Sequence, residues 1–472
     1  MKNLYLIIRN AWRSIHDDRA RFDPTVDMKL RAVLLLAAIC VAPHVAVSAD
    51  DACADETCAS HLNDLRGVLA NAEDVADYVV RLRRELHLQP ELMWTEHETS
   101  AVVKRELTAM GVSFEEISAP GVVATIGSGS APVVALRADM DALPVTEESD
   151  IPLERRSQIP GKMHACGHDG HTAMLLGAAK VLKSVEPQLR GTVRLVFQPA
   201  VEGGAGARRM LEDGLRVMTP PIESSFALHN WPYPETPSGT VGTRSGTIMA
   251  GSGSFEITFT GAGGHAAVPH KNVDVVVCGA AAVMATQTIV SRLTDPLDSA
   301  LVSTTIFKAG GEASNVMGDV AVLAGTFRAL DKRTFEWLHG RIEHVAKSTG
   351  AAHGCDVDVD FFPVTSNGVR REEYPPTVND VKAAVLASSV AASMFGDDAV
   401  VDVSPVMPAE DFSFFAEEWP SAMMWLGAYN VTAGATWPLH SGKYVLDESV
   451  LHRGVAMHVA YATEYMSTGF RG

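Results

Sequence analysis

Metal-ligating side chains crowd into one short segment of the sequence, MHACGHDGH at residues 163–171. Thiolate and imidazole together suit Zn²⁺ or another borderline divalent cation. The two glycines let the backbone turn tightly enough to aim several ligands at one point. A polar loop with an accidental histidine cluster is the alternative, which this crowding disfavours. The segment therefore predicts a metal site, with the candidates His164, Cys166, His168, Asp169 and His171.

Two acids follow an apolar run upstream, in ALRADMDALP at residues 135–144. Asp139 and Asp141 are two residues apart, so they point to the same side of a strand. Ligands collect at the carboxyl ends of strands in α/β sheets. One of the two acids is therefore a candidate to orient a metal-binding histidine. A solvated turn is the alternative interpretation.

A single acid stands in FQPAVEGGAGA, residues 197–207. Glu202 lies where an apolar run typical of a buried strand, Val193–Phe197, passes into a glycine-rich entry to a helix. Two histidines, His229 and His440, also lie beside apolar runs. Each histidine alone is more typical of an ordinary core or surface position. Beside the cysteine–histidine cluster and Glu202, both become candidate metal ligands.

A third set of polar residues lies in the middle of the chain. His265 stands in the glycine-rich loop GAGGHAAVPH, Asn315 lies between two predicted strands, and Arg328 ends the second of them. Such groups can bind a substrate carboxylate or a developing oxyanion. Ordinary loop polarity explains each of them equally well.

The spacing of apolar residues predicts two kinds of domain. Strands alternate with helices before residue 246, which indicates an α/β sandwich with a mostly parallel sheet. From SFEITFTG (254–261) to CDVDVDFF (355–362) the order becomes β-α-β-β-α-β, the ferredoxin-like arrangement. We therefore expect α/β segments at 62–245 and 365–472, interrupted by a satellite domain at 246–364.

Composition and the N-terminus bound the partners and the compartment. The chain has 472 residues, 47% hydrophobic and 20% charged, which is typical of a globular protein. Its formal net charge of −18 disfavours nucleic acid and anionic membranes as partners. Within an N-terminal extension, 1–49, residues 28–49 combine a basic start, a short apolar run and a small-residue end. They predict a secretory signal peptide and a secreted protein; an uncleaved signal anchor is the alternative.

The cysteines are divided between two expected uses. Cys53 and Cys58 follow the predicted cleavage site and are expected to form a disulfide in an oxidising compartment. Cys166 is a candidate ligand. The spacing of the other cysteines indicates no disulfide framework.

Eight motifs in order give the chain a resemblance to a known family. It resembles the metal-dependent aminoacylase/carboxypeptidase family of amidohydrolases, in the branch of hippurate hydrolases and plant auxin–amino acid conjugate hydrolases. The resemblance covers about residues 70–465. The motifs are RRELHLQPEL (83–92), LRADMDALPVTE (136–147), MHACGHDGH (163–171), FQPAVEGGAGA (197–207), FALHNWPYPETPSGTVGTRSG (226–246), GAGGHAAVPH (261–270), AEDFSFF (409–415) and LHSGKYVLD (439–447).

The resemblance implies a fold, a reaction and partners. It implies an α/β catalytic domain interrupted by a ferredoxin-like satellite domain, which in this family often mediates dimerisation. It implies two divalent metal ions, Mn²⁺ or Zn²⁺, and cleavage of the amide bond of an N-acyl amino acid or a dipeptide-like substrate. A homodimer through the satellite domain is the expected assembly.

The resemblance also assigns roles residue by residue. Cys166 resembles the ligand that joins the metal pair, His168 and His229 the other ligands of one metal, and Glu202 and His440 those of the second. Asp141 resembles the acid that orients the site. His265 is similar to a histidine that reaches the reaction centre, often from the other subunit. Asn315 and Arg328 lie where substrate-binding groups are expected.

One position departs from the family pattern. The family usually reads Gln-Pro-Ala-Glu-Glu-Gly-Gly, where the first Glu is the general base and the second, matching Glu202, binds metal. This chain has Val201 at the position of the base. Valine has no lone pair, and a positioned general acid–base is worth about 10²–10⁴-fold in rate. We therefore predict that an amidohydrolase of this type has impaired turnover but retains metal and ligand binding.

Three interpretations of Val201 stay open at the level of sequence. The protein is a slow amidohydrolase that borrows another base, such as Asp169 or a chain of waters. Alternatively, it is a non-catalytic, metal-binding relative that binds acyl amino acids or peptides. The third is that Val201 is an error, an allele or an engineered change in an otherwise ordinary enzyme.

Overall fold

The structure is a computed structural model that describes residues 56–364, 368 and 370–470, with only the backbone of 56–64. The predicted signal peptide, 28–49, and the side chains of the predicted Cys53–Cys58 pair lie outside the described residues. The chain divides into two units, Met1–Ser60 and His61–Gly472. The domains and the site described below all belong to the second unit.

Strands and α-helices alternate along the described chain. The strands are β1 Ser113–Glu116, β2 Val122–Gly127, β3 Val133–Asp139, β4 Thr192–Gln198, β5 Ser224–Trp231, β6 Val241–Thr243, β7 Gly246–Met249, β8 Gly251–Thr260, β9 Gly264–His265, β10 Ala300–Ala309, β11 Val316–Met317, β12 Val320–Ala329, β13 Asp356–Asp360, β14 Thr377–Asn379, β15 Val400–Asp402 and β16 Ser421–Gly427. The α-helices are α1 Glu56–Asp74, α2 Ala76–Leu88, α3 His97–Ala109, α4 His168–Ser184, α5 Gly206–Glu212, α6 Val275–Thr288, α7 Lys332–Ala352, α8 Val381–Phe395, α9 Ser413–Glu418 and α10 Leu451–Thr468.

An eight-stranded sheet in the order β1-β2-β4-β3-β5-β16-β6-β15 forms the centre of the α/β domain. The four inner strands, β4, β3, β5 and β16, run parallel, and every residue in them is buried. Helices cover both faces, so these strands read as apolar runs rather than as alternating patterns. The predicted sandwich is confirmed, with antiparallel pairs added towards the edges of the sheet.

Each face of the sheet has its own apolar core. Residues of α2, α3, α4, α8 and α10 pack on one face. Residues of α5 and α9 pack on the other, together with the stacked indoles of Trp231 and Trp425. Helix α4 is buried almost all round between sheet and helices, which fixes the position of its N-terminus at the carboxyl end of β3.

The inserted satellite domain has the predicted order β-α-β-β-α-β. Strands β10, β12, β8 and β13 form an antiparallel sheet in that spatial order, and α6 and α7 cover one of its faces. Asp274 and Asp331 cap the two helices by accepting hydrogen bonds from backbone N–H groups of the first turn. Among the described residues, the stretch 275–293 is long and apolar enough to pass as a membrane span, and one third of it is buried within the protein.

Two linkers join the domains and lie side by side. Ser252 follows the first crossing and Tyr374 lies on the second, and each backbone N–H donates to the other's carbonyl at 2.9 Å. Strands β7 and β14 pair just beyond this point. The domain limits at 246 and 364 stay a prediction.

The expectation for the later cysteines was wrong. Cys278 on α6 and Cys355 before β13 form a disulfide across a sequence separation of 77 residues. The helix and the end of α7 come together only because both pack on the satellite sheet, so sequence spacing does not reveal the pair. Among the described cysteines, Cys166 is free and buried, in agreement with a ligand role.

Removing this disulfide should destabilise the satellite domain. The double variant Cys278→Ala/Cys355→Ala lacks the cross-link. Its free energy of unfolding should be about 2–4 kcal/mol lower than that of the oxidised protein, because its unfolded chain is less constrained. Denaturant titration with and without a reductant measures this difference. Identical unfolding of the oxidised wild type and the double variant would contradict the assignment; under reductant the two should nearly coincide.

Candidate metal centre

The candidate ligands line a cleft of about 1100 Å³ between the α/β domain and the satellite sheet. Three of them start from the carboxyl-terminal edge of the central sheet: Glu202 follows β4, His229 lies near the end of β5, and His168 begins α4. This edge is where parallel sheets gather ligands. The predicted residues Cys166, His168, Glu202, His229 and His440 all line the cleft.

A turn at Gly167 directs Cys166 and His168 into the cleft. Gly167 has φ +81°, and a Cβ there would lie 2.4 Å from Nδ2 of Asn230. Only glycine fits both the backbone conformation and the close approach. As a result Cys166 and His168, on either side of Gly167, both face the cleft.

Two groups of donors share the thiol. Cys166, His168 and His229 have donor atoms within 4.8 Å of one another, and so do Cys166, Glu202 and His440. The Sγ of Cys166 lies 3.4 Å from Nε2 of His229, and Nε2 of His440 lies 3.2 Å from a carboxylate oxygen of Glu202. These are the groups that the family resemblance implies. Their binding of metal stays a prediction, as does the identity of the ion.

The chemistry of the donors fits a pair of divalent cations. His168 donates from Nδ1 to the carbonyl of Asp141 at 2.8 Å, and His229 donates from Nδ1 to the carbonyl of Asn230 at 2.7 Å. These hydrogen bonds fix the tautomer and leave each Nε2 as a free lone pair, the usual state of a metal-binding histidine. Thiolate, imidazole and carboxylate are all ligands of such ions.

Asp141 lies where an orienting acid is expected. One carboxylate oxygen accepts from the backbone N–H of Glu202 at 2.9 Å, and the other is 3.3 Å from Nδ1 of His168. Asp141 therefore contacts a ligand of each group. Burial raises the pKa of this carboxyl above its usual range, against the opposing effect of His168.

A third group, Asp139, His168 and His171, also has donor atoms within 4.8 Å of one another. Hydrogen bonds within the protein already use the donor atoms of Asp139 and His171. His171 donates from Nδ1 to Asp139 at 2.6 Å and accepts at Nε2 from the backbone N–H of Asn230 at 2.9 Å. Burial alone would raise the pKa of Asp139, but the charges of His168, His171 and Arg137 hold it well below its usual range. Asp139 and His171 therefore support the residues around the cleft through buried hydrogen bonds.

The rest of the 163–171 cluster does not face the cleft. His164 is buried, and burial lowers its pKa to about 3. Asp169 is fully buried and pairs with Nε of Arg83 at 2.9 Å and Nδ1 of His87 at 2.7 Å. Asp169 thus lies outside the cleft, and the structure removes it as a substitute base.

The turn that carries Glu202 depends on residues that sequence reasoning missed. The backbone N–H of Ala200 donates to an oxygen of the buried carboxyl group of Glu96 at 2.8 Å. The hydroxyl of Tyr374 bonds to three backbone groups of the same turn. Glu96 and Tyr374 are distant in sequence from Glu202 and carry no local signal of this role.

Val201 is buried and lines the cleft beside Glu202. Two of the other acids along the cleft are already paired. Glu410 binds Arg137 at 2.7 Å, and Glu372 binds Arg208 at 2.5 Å. The position expected to hold the proton acceptor therefore presents only an apolar side chain.

The satellite residues divide into two sets. Arg328 lines the cleft and donates to the carbonyl of Met407 at 3.0 Å; burial lowers its pKa. His265 and Asn315 are exposed and lie together on the β9–β11 pair, where Ala266 N–H donates to the carbonyl of Asn315. Neither lines the cleft of its own chain.

The α/β sandwich with this insertion and the two donor groups that share one thiol place the chain among two-domain proteins with a candidate dinuclear metal site. Residues 135–464 match the model of Peptidase family M20/M25/M40, and the chain belongs to that family.

Similar proteins agree with this assignment. The chain is 41% identical over 399 residues to IAA-amino acid hydrolase ILR1-like 5 of Arabidopsis thaliana, covering 84% of this chain and 89% of the relative. It is 35% identical over 377 residues to N-acetylcysteine deacetylase of Bacillus subtilis, covering 79% and 93%. The solved structure of the Bacillus subtilis YXEP protein, a dinuclear metal-binding peptidase of the M20 family, matches with a TM-score of 0.69 and 30% identity over 84% of this chain and 99% of that one. The relatives are thus amidohydrolases.

Glu96 should make the stability of the metal-free protein depend on pH. Burial, and then the charge of Asp141, raise the pKa of Glu96 to about 8. The folded protein then keeps a proton that the unfolded chain releases near pH 4.5, so stability should fall as pH rises from about 4.5 to about 8. Glu96→Gln keeps an oxygen for Ala200 N–H and removes the titration. The melting temperature of Glu96→Gln should change less between pH 4.5 and pH 8 than that of wild type, even if the two proteins differ in melting temperature throughout.

Glu98→Gln is the matched control, because Glu98 lies two residues further on, in the first turn of α3, and is exposed. This substitution should leave the pH dependence of stability unchanged. Parallel pH profiles for wild type and Glu96→Gln, recorded in a chelator, would refute the assignment of the buried titrating group to Glu96.

Proposed function

We propose that this protein binds N-acyl amino acids or related small conjugates at a two-cation site and hydrolyses their amide bond slowly, because the site lacks its general base. The observation that supports this proposal is the pair of donor groups sharing Cys166 at the floor of the cleft, with Val201 beside Glu202. Relatives with amidohydrolase activity support the reaction class.

The residues divide the work of binding. Cys166, His168 and His229 would hold one divalent ion, and Cys166, Glu202 and His440 the other. Such ions, when bound, polarise a carbonyl and acidify water. The thiolate favours Zn²⁺ and the carboxylate accepts Mn²⁺, so either ion suits the donors.

The cleft offers complementary surfaces for the two ends of such a substrate. Trp231, Tyr233 and Leu439 line it with apolar surface beside the metal ligands. The indole of Trp231 is held by stacking on Trp425, with ring centroids 4.3 Å apart. Arg328, on the opposite wall, brings a positive charge. These surfaces suit an apolar or aromatic acyl group and a carboxylate on the amine portion.

Val201 sets the limit on turnover. The side chain at this position should take a proton from the attacking water and return it to the leaving amine, and valine does neither. Asp169 is not available, since Arg83 and His87 hold it outside the cleft. Binding with slow turnover is therefore the expected behaviour. A purely binding role is the second candidate, and the same residue favours it.

A homodimer through the satellite domain would complete the site. His265 and Asn315 are exposed and away from the cleft of their own chain. Strand β10 is an edge strand of the satellite sheet and contacts helix α6. Phe307 on the strand and Val276 and Met284 on the helix are exposed apolar side chains. Edge pairing of β10 between two copies would cover this apolar surface. We propose that His265 then serves the site of the other subunit.

We also propose that the protein is secreted. The predicted signal peptide at 28–49 supports this, and the Cys278–Cys355 disulfide is of the kind that persists in an oxidising compartment.

Restoring the base should restore turnover. Val201→Glu, loaded with Mn²⁺ or Zn²⁺, should release amino acid from N-acyl amino acids about 10²–10⁴-fold faster than the chain with Val201. Val201→Gln is the matched control, because it has the size and polarity of glutamate but accepts no proton in this role. Equal rates for Val201 and Val201→Glu would show that another group carries the proton.

The dimer proposal makes a complementation test possible. In the Val201→Glu background, His265→Ala and Glu202→Ala should each be inactive alone. Mixed after dissociation, random pairing makes half of the dimers mixed, each with one complete site, so about a quarter of the parent activity should return. A monomer in sedimentation equilibrium, or no recovery on mixing, would overturn the shared site.

A further inference from the structure

The hydroxyl of Tyr374 lies inside the turn that carries Glu202. It donates to the carbonyl of Val201 at 2.8 Å and accepts from the backbone N–H groups of Gly203 at 2.9 Å and Ala205 at 3.1 Å. The side chain is 6% exposed. One oxygen thus satisfies three backbone groups around a predicted metal ligand.

The turn is not one that its own residues favour. Ala200, Gly203 and Ala205 all have positive φ angles, of 58°, 106° and 50°. Side chains with a Cβ disfavour this left-handed region, so two alanines there carry a conformational cost. A turn of this kind persists only where surrounding contacts impose it.

Those contacts come from different parts of the chain. Glu96 holds the N–H of Ala200 and Asp141 holds the N–H of Glu202, both from within the α/β domain. Tyr374 alone among these three comes from a linker, and its own backbone is paired with Ser252 at the start of β8. The point where this linker pairs with the start of the satellite sheet is therefore attached directly to the turn.

We propose that Tyr374 is a positioning residue that holds Glu202 in its metal-binding place and couples that place to the linkers of the satellite domain. The inference rests on the proposed binding of a cation by Cys166, Glu202 and His440. It does not extend to the other group, since His168 and His229 are held by carbonyls of Asp141 and Asn230.

Metal titration of the full chain tests this selectivity. Tyr374→Phe removes the hydroxyl and keeps the ring. In calorimetric titrations of metal-free protein with Mn²⁺ or Zn²⁺, one of two binding steps should weaken by about 10–100-fold, the range for groups that orient metal ligands. The other step should keep its affinity. Tyr461→Phe is the matched control, because that buried hydroxyl bonds to Ser224 instead and should leave both steps unchanged.

A second background separates positioning from general destabilisation. Glu202→Ala should abolish one binding step, and adding Tyr374→Phe to it should then change nothing further, since the residue it positions is gone. A further loss at the remaining step would mean that Tyr374 supports the whole fold and would overturn the inference.

Amide hydrogen exchange in the segments that join the domains measures the proposed coupling. Metal should slow amide exchange at 250–254 and 372–376 in wild type and should not do so in Tyr374→Phe. Equal protection in both proteins would overturn the coupling. A wild type that binds no cation would overturn the proposed function itself, whereas two unchanged binding steps in Tyr374→Phe would overturn only this inference.

Discussion

The buried carboxyl group of Asp141 joins the two halves of the candidate metal centre. One oxygen accepts from the backbone of Glu202 and the other lies 3.3 Å from His168, so a single side chain at the end of β3 fixes a ligand of each donor group. It can do so only because β3, β4 and helix α4 meet at one edge of the sheet, under helices that bury the whole arrangement. The sandwich, the glycine turn at Gly167 and the strained turn at Glu202 all serve this convergence.

Local signals in the sequence carried much of this result. The apolar runs predicted the parallel strands, the β-α-β-β-α-β order predicted the satellite fold, and the motifs brought together Cys166, Glu202 and His440. Contacts between distant segments were beyond sequence reasoning: the Cys278–Cys355 bridge, the Glu96 and Tyr374 hydrogen bonds, and the burial of Asp169 beside Arg83. Each depends on packing that brings residues together without any mark in their own neighbourhood.

Val201 leaves the frame of the candidate site undisturbed. The backbone of residue 201 still accepts from Tyr374, and Glu202 still faces Cys166 and His440. In the proposed function, binding and proton transfer belong to side chains of adjacent residues, so valine at position 201 leaves the candidate donors in place. Under the proposed function, the same separation would let the site keep its affinity for a conjugate while turnover falls.

The most direct test of this account is a crystal structure of the chain with Val201, grown with Mn²⁺ or Zn²⁺ and an N-acyl amino acid. We predict a cation on each of the two donor groups and, in the cleft beside Val201, the N-acyl amino acid or the products of its slow hydrolysis. Cations on neither group, or a cleft that holds neither conjugate nor product, would contradict this prediction.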